Sequence, residues 1–89
     1  MIKRREPRIP FKASIRYVVE APLSSYENGI AVTSDRSTRG LGLFVEQGFA
    51  VGQRMKIFSP QLSEEPLTAQ VRWCNEISDS LFRIGLSLI

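Results

Sequence analysis

Apolar and polar residues alternate in short runs along most of this chain. Ala13, Ile15, Tyr17 and Val19 recur at every second position with Ser14 and Arg16 between them, which is the period of a strand with one buried face. This predicts a strand over 12–20. Residues 29–34, "GIAVTS", place Ile30 and Val32 on one face of a second strand. Leu41, Leu43 and Val45 align in "LGLFVE", residues 41–46, and Met55 and Ile57 align in residues 53–58 before Pro60 ends the run. Leu67, Ala69, Val71 and Trp73 share a side of the fifth strand; Phe82, Ile84, Leu86 and Leu88 share a side of the last. By this alternation Trp73 faces the core and Cys74 the outside, beside Arg72.

Six short strands separated by turn residues, with no long stretch at helical spacing, predict an all-β fold. The expected architecture is a small six-stranded antiparallel β-barrel, in which closure removes exposed edges. Eighty-nine residues allow one domain with a small core, so a ligand is expected on the surface rather than in a deep cavity. The chain is 43% hydrophobic and 24% charged, as in an ordinary globular protein. No apolar run approaches the ~20 residues of a membrane span. The basic start has no hydrophobic stretch behind it, so no secretory signal is expected and the expected location is cytoplasmic.

Chemistry is constrained by what is missing. There is no histidine and a single cysteine, Cys74, so the usual zinc ligand sets and the Ser-His or Cys-His nucleophile pairs are absent. Neither a metal nor a catalytic function is expected. Glu64 and Glu65, ahead of Pro66, read as a solvated turn rather than an acid pair.

Charge is concentrated at one end. Residues 1–16 carry +5 and the other 73 residues −2, so the net +3 belongs to a flexible basic arm over residues 1–11, running on into the barrel domain of residues 12–89. A basic arm on a nearly neutral body points to an anionic partner. A second polar stretch, "SDRSTRG" at residues 34–40, lies between two apolar strands and offers Asp35, Ser37, Arg36, Arg39 and Gly40. Hydroxyls and backbone N–H groups in such a turn can receive a phosphate. Asp35 would repel phosphate, but a carboxylate can accept from the N1–H and N2–H₂ of guanine, while arginine matches O6 and N7 of the same base.

Together "RREPR", with Arg4 and Arg8 as an RxxxR element, and "DRSTRG", with Asp35, Ser37 and Gly40 as a [D/N]xSxxG element, resemble the PilZ family of bacterial cyclic di-GMP receptors. Ile9-Pro10, "GLGLFVE", "VRW" at 71–73 and "RIGLSL" extend the resemblance over nearly the whole chain. It implies a receptor or adaptor that binds cyclic di-GMP, with no other cofactor, changes conformation, and signals to an effector protein in the control of motility, pili, exopolysaccharide or biofilm. Arg4 and Arg8 would grip guanine edges and phosphates, Asp35 would accept from a guanine, Ser37 would bond a phosphate and Gly40 would keep the wall open. Arg5 would stack or add charge; Lys3, Arg36 and Arg39 are weaker candidates. The resemblance also allows for a homodimer.

Two other classes fit the composition. One is a barrel that engages proteins without binding a ligand, against which the two complete motifs weigh. The other is a small-barrel binder of single-stranded nucleic acid, which needs a basic face interleaved with aromatics. Phe11, Tyr17, Phe44, Phe49, Phe58, Trp73 and Phe82 form no such run, so no nucleic-acid polymer is expected as a partner.

Overall fold

The computed structural model describes residues 8–20 and 26–89. Among these residues seven strands follow one another in this order: β1 (Ile9–Pro10), β2 (Ser14–Glu20), β3 (Tyr26–Arg36), β4 (Gly40–Val45), β5 (Arg54–Phe58), β6 (Leu67–Ser78) and β7 (Leu81–Leu88). Every ladder is antiparallel, in the order β1-β3-β2-β5-β6-β7-β4, and β3 also pairs with β4. That last pairing closes β2 to β7 into the six-stranded barrel the alternation predicts. The extra strand β1, within the segment read as the arm, lies on β3 beyond the end of β2. Among the described residues no helix is long and apolar enough to cross a membrane.

The inward positions fill the barrel. Ile15, Tyr17 and Val19 of β2 meet Leu41, Leu43, Val45, Met55, Ile57, Ala69, Val71, Ile84 and Leu86 in one buried cluster. Full burial of each large aliphatic side chain contributes roughly 1.5–3 kcal/mol. Gly29, the cross-strand partner of Tyr17, leaves room for the phenol ring, which meets Phe49 edge-on at 5.7 Å between centroids. Ile30 and Val32 do share a face, but it is the outer one: they are 69% and 44% exposed, while Ala31 and Thr33 point inward.

Three one-residue bulges interrupt the pairing, one of them at Ile77 near the end of β6; the other two shape the outer wall. In β3, Thr33 pairs with Leu43 and Asp35 with Gly42, so Ser34 is the extra residue. In β6, Val71 pairs with Leu86 and Trp73 with Gly85, so Arg72 is the extra residue. An unpaired residue advances the strand by one position and swaps the faces of all that follow. Trp73 is therefore on the outside, 37% exposed, and Cys74 packs against the core. This reverses the assignment that unbroken alternation gives.

Thr33 is the polar residue at the centre of this arrangement, fully buried. Its hydroxyl accepts from the Ala13 N–H at 2.8 Å and donates to the Phe11 carbonyl, and its own N–H donates to the Ala13 carbonyl at 3.0 Å. These bonds tie the link between β1 and β2 to β3. Thr33→Val keeps the shape and removes the hydroxyl, leaving a buried donor and acceptor unpaired at about 1–3 kcal/mol. A thermal melt is expected to fall by several degrees, at roughly 4–8 °C per kcal/mol for a domain of this size; an unchanged melt would show that the hydroxyl carries no such role.

Candidate functional site

The bulges place Asp35 and Trp73 on one outer rung of the barrel. Cross-strand pairing runs Pro10, Asp35, Gly42, Gly85, Trp73 through β1, β3, β4, β7 and β6. The two central positions are glycines, and each makes room for a neighbour. A Cβ at Gly42 would overlap the Asp35 carboxylate and lie 2.6 Å from the Ser34 hydroxyl; a Cβ at Gly85 would overlap the Trp73 indole. Side-chain-free positions inside strands mark a close approach. Here they let a carboxylate and an indole lie close to the barrel wall from opposite sides.

Asp35 is held by two arginines. Arg8 Nη2 donates to its Oδ1 at 2.9 Å and Arg83 Nη2 to its Oδ2 at 3.0 Å. The Arg8 hydrogen bond is the main cause of a carboxyl pKa below the ordinary value; partial burial opposes it, and the charges of Arg8 and Arg83 with the Ser34 hydroxyl add to it. The Arg83 guanidinium carbon also lies 5.6 Å from the centre of the Trp73 ring, so one arginine joins the carboxylate to the indole across the glycines.

Beside this rung, the turn between β3 and β4 closes with the Ser37 N–H donating to the Gly40 carbonyl at 3.0 Å. Gly40 is pressed between the Leu86 carbonyl, the Ser37 hydroxyl and the Arg8 guanidinium, at 3.2, 3.2 and 3.6 Å from where a Cβ would stand. The Arg39 carbonyl accepts from the Leu88 N–H at 2.8 Å, fixing the turn to β7. The result is an open groove of ≈ 290 Å³ lined by Arg8, Ser37, Arg39, Gly40, Arg72, Trp73, Gly85, Leu86 and Ser87. Among the described residues, three guanidiniums, two hydroxyls and an aromatic ring line it and no carboxylate does. That composition suits an anion with a flat ring system.

Of the residues singled out in the sequence, Arg8, Asp35, Ser37 and Gly40 meet here, with Arg39 on the groove wall. Arg4, Arg5 and Lys3 lie outside the described residues. Arg36 turns elsewhere, with its guanidinium carbon 4.8 Å from the centre of the Phe11 ring. Three residues at the site were not anticipated: Arg72, Trp73 and Arg83. Arg83 was legible as an outward position between Phe82 and Ile84, whereas Trp73 was hidden by the bulge.

A family model for the PilZ domain matches residues 2–89. The chain belongs to the PilZ domain family. No curated protein sequence matches it. Among solved structures, this PilZ barrel superimposes on the Bacillus subtilis inhibitor of motility, MotI/DgrA, with a TM-score of 0.59 at 17% identity, over 99% of this chain and 43% of that one. The chain thus spans less than half of that protein's length, and the likeness is one of fold.

Two measurements check the geometry of the PilZ site. Gly85→Ala puts a methyl group where the indole lies, so the emission of the single tryptophan is expected to shift to the red as the ring is displaced into water. An unmoved spectrum would mean that the ring does not rest on this glycine. The second concerns Asp35, whose pKa is lowered in the fold. Its ion pairs contribute stability above the unfolded carboxylate pKa of about 3.9, and this is lost as pH falls through the lower folded value. At pH 7 Asp35→Asn is expected to be less stable by about 0.2–1 kcal/mol per partly exposed pair. The difference in melting temperature should close at acid pH; a gap that persists to pH 2 would contradict the ion pairing.

Proposed function

We propose that this PilZ domain is a cytoplasmic receptor for cyclic di-GMP that passes its occupancy to an effector protein. The observation that carries the reading is the meeting of Arg8, Asp35, Ser37 and Trp73 around one groove. Cyclic di-GMP presents two phosphates and two guanines. The groove offers guanidiniums and a serine hydroxyl for a phosphate and an indole on which a base stacks, and Asp35, outside its lining but paired with Arg8, is a carboxylate for the Watson–Crick edge of guanine. Arg4 and Arg5 of the basic arm add further cationic donors from residues 1–11. The role is binding and signalling, with no catalytic step.

In this reading, ligand entry exchanges partners. Arg8 leaves Asp35 for a phosphate or a guanine O6/N7 edge, and the released carboxylate accepts from N1–H and N2–H₂. Arg83 keeps a hold on Asp35 and fixes its direction. Charge-assisted hydrogen bonds contribute roughly 1.5–3 kcal/mol each, and a micromolar complex needs about 8 kcal/mol. Since one ion pair is surrendered, several such bonds and the stacking are needed together. The motility link of the MotI/DgrA fold relative supports a role in controlling movement.

Calorimetry with cyclic di-GMP is expected to give a micromolar complex, with quenching of Trp73 emission at the same midpoint. Arg8→Ala and Asp35→Ala should each weaken it at least tenfold. Trp73→Ala should cost about 1–3 kcal/mol, the contribution of one stacked base. Undiminished affinity in the Arg8 and Asp35 variants would exclude this site, and steeply salt-dependent binding of any oligonucleotide instead would favour a nucleic-acid binder.

A further inference from the structure

On the outer wall of β2, β3 and β5, away from the glycine rung, lies a second surface that the nucleotide reading does not use. Phe58, Arg16 and Ile30 are direct cross-strand partners on one rung, and Val32 stands beside Ile30 on the same face. Ile30 at 69% and Val32 at 44% are among the more exposed large apolar residues described. The Arg16 guanidinium carbon lies 5.5 Å from the centre of the Phe58 ring, so this central charge is laid over an aromatic. Two open grooves, ≈ 450 Å³ and ≈ 710 Å³, share Arg16, Ile30 and Phe58 and so form one continuous trough.

The ends of the trough are acidic. Glu64 and Glu65, on the loop after β5, line one groove, and Glu46, just past β4, lines the other. Among the described residues the charged lining groups are three carboxylates and one guanidinium, on a protein whose net charge is +3. An apolar floor with carboxylates at either end calls for a partner of matching pattern.

We propose that this trough docks a segment of the effector protein whose apolar side chains are flanked by lysine or arginine at both ends. It rests on the receptor reading in supposing an effector, and names where that effector binds and by what chemistry. The apolar anchors settle on Ile30, Val32 and Phe58, and the flanking cations meet Glu64, Glu65 and Glu46. Opposite charges at the rim govern encounter and register, and the apolar centre governs residence.

The test uses the full chain and two synthetic nine-residue peptides. Both alternate leucine, serine and phenylalanine at the centre; one carries two lysines at each end and the other two glutamates. In ¹H–¹⁵N spectra the lysine-flanked peptide is expected to move the amide resonances of Arg16, Ile30 and Phe58, and the glutamate-flanked one to leave them in place. Ile30→Ser, an exposed change, and the double change Glu64→Lys with Glu65→Lys should each weaken peptide binding at least tenfold. Equal binding of the two peptides, or no movement of these resonances with the lysine-flanked peptide at millimolar excess, overturns the proposal. So does concentration-dependent broadening of the same resonances without peptide, which would assign the trough to a second copy of the chain. Cyclic di-GMP titrated into Ile30→Ser should bind as to the wild type. Failure of the nucleotide to bind any form would count against the receptor reading while leaving the peptide result to stand by itself.

Discussion

In a β-strand residues i and i+2 share a face, so burying Thr33 would bury Asp35 and burying Val71 would bury Trp73. Each of the two strands escapes this by one extra residue, Ser34 in β3 and Arg72 in β6. A carboxylate inside so small a core would face desolvation without compensation, and an indole there would displace much of the aliphatic packing. The bulges move both groups outside without disturbing the inward series on either side. Thr33, Val71 and Ile84 remain fully buried, and the barrel stays closed. The site exists because the register slips by one at Ser34 and at Arg72 and nowhere between them along the β4–β7 ladder.

The paired glycines complete what the bulges begin. With side chains at 42 and 85, Asp35 and Trp73 would be held away from the wall. Without them, the carboxylate settles where Arg8 and Arg83 reach it from separate directions, 2.9 and 3.0 Å away. Both arginines remain partly in solvent, at 46% and 38% side-chain exposure, so the pairs are screened and modest in strength. Modest strength suits the proposed receptor role. A fully desolvated pair would cost several kcal/mol to separate, whereas a half-exposed one can be exchanged for a phosphate or a guanine edge at little net loss.

Much of this was legible from residue order, and the part that was not has a specific cause. Alternation located all six barrel strands and the inward residues of β2, β4, β5 and β7, because a closed barrel with one buried face obeys period two so closely; in β3 it picked out the outer pair Ile30 and Val32 instead of Ala31 and Thr33. It also brought Arg8, Asp35, Ser37 and Gly40 to notice, since a carboxylate, a hydroxyl and a glycine in a cationic setting have few joint uses. Two things escaped it. A bulge leaves no local signature in "VRWC", where arginine fits an outward strand position as well as an unpaired one, so Trp73 was turned inward and Cys74 outward. The strands β3 and β6 run past their apolar segments, to Arg36 and Ser78, because ladder hydrogen bonds continue where side chains are polar. Glycines in mid-strand, at 42 and 85, were the one available hint that something approaches closely from outside.

The outer wall then links the two surfaces. Phe44 of β4 is the cross-strand partner of both Val32 and Arg83. Val32 belongs to the acid-ended trough, and Arg83 grips Asp35. One ring therefore stands between the carboxylate clamp and the apolar trough, on the same rung and one strand from each residue. A packed, closed barrel resists deformation, so a change at the clamp is more readily carried across the surface by side chains than through the core. If Arg83 reseats slightly on Asp35 once Arg8 has left it, Phe44 is its cross-strand neighbour on this side, and Val32 the next. In the proposed receptor, coupling along this path needs no movement of the backbone, only a small adjustment of Arg83 on the carboxylate it keeps. A small rigid domain can in this way report what it holds on one face to a partner on the next.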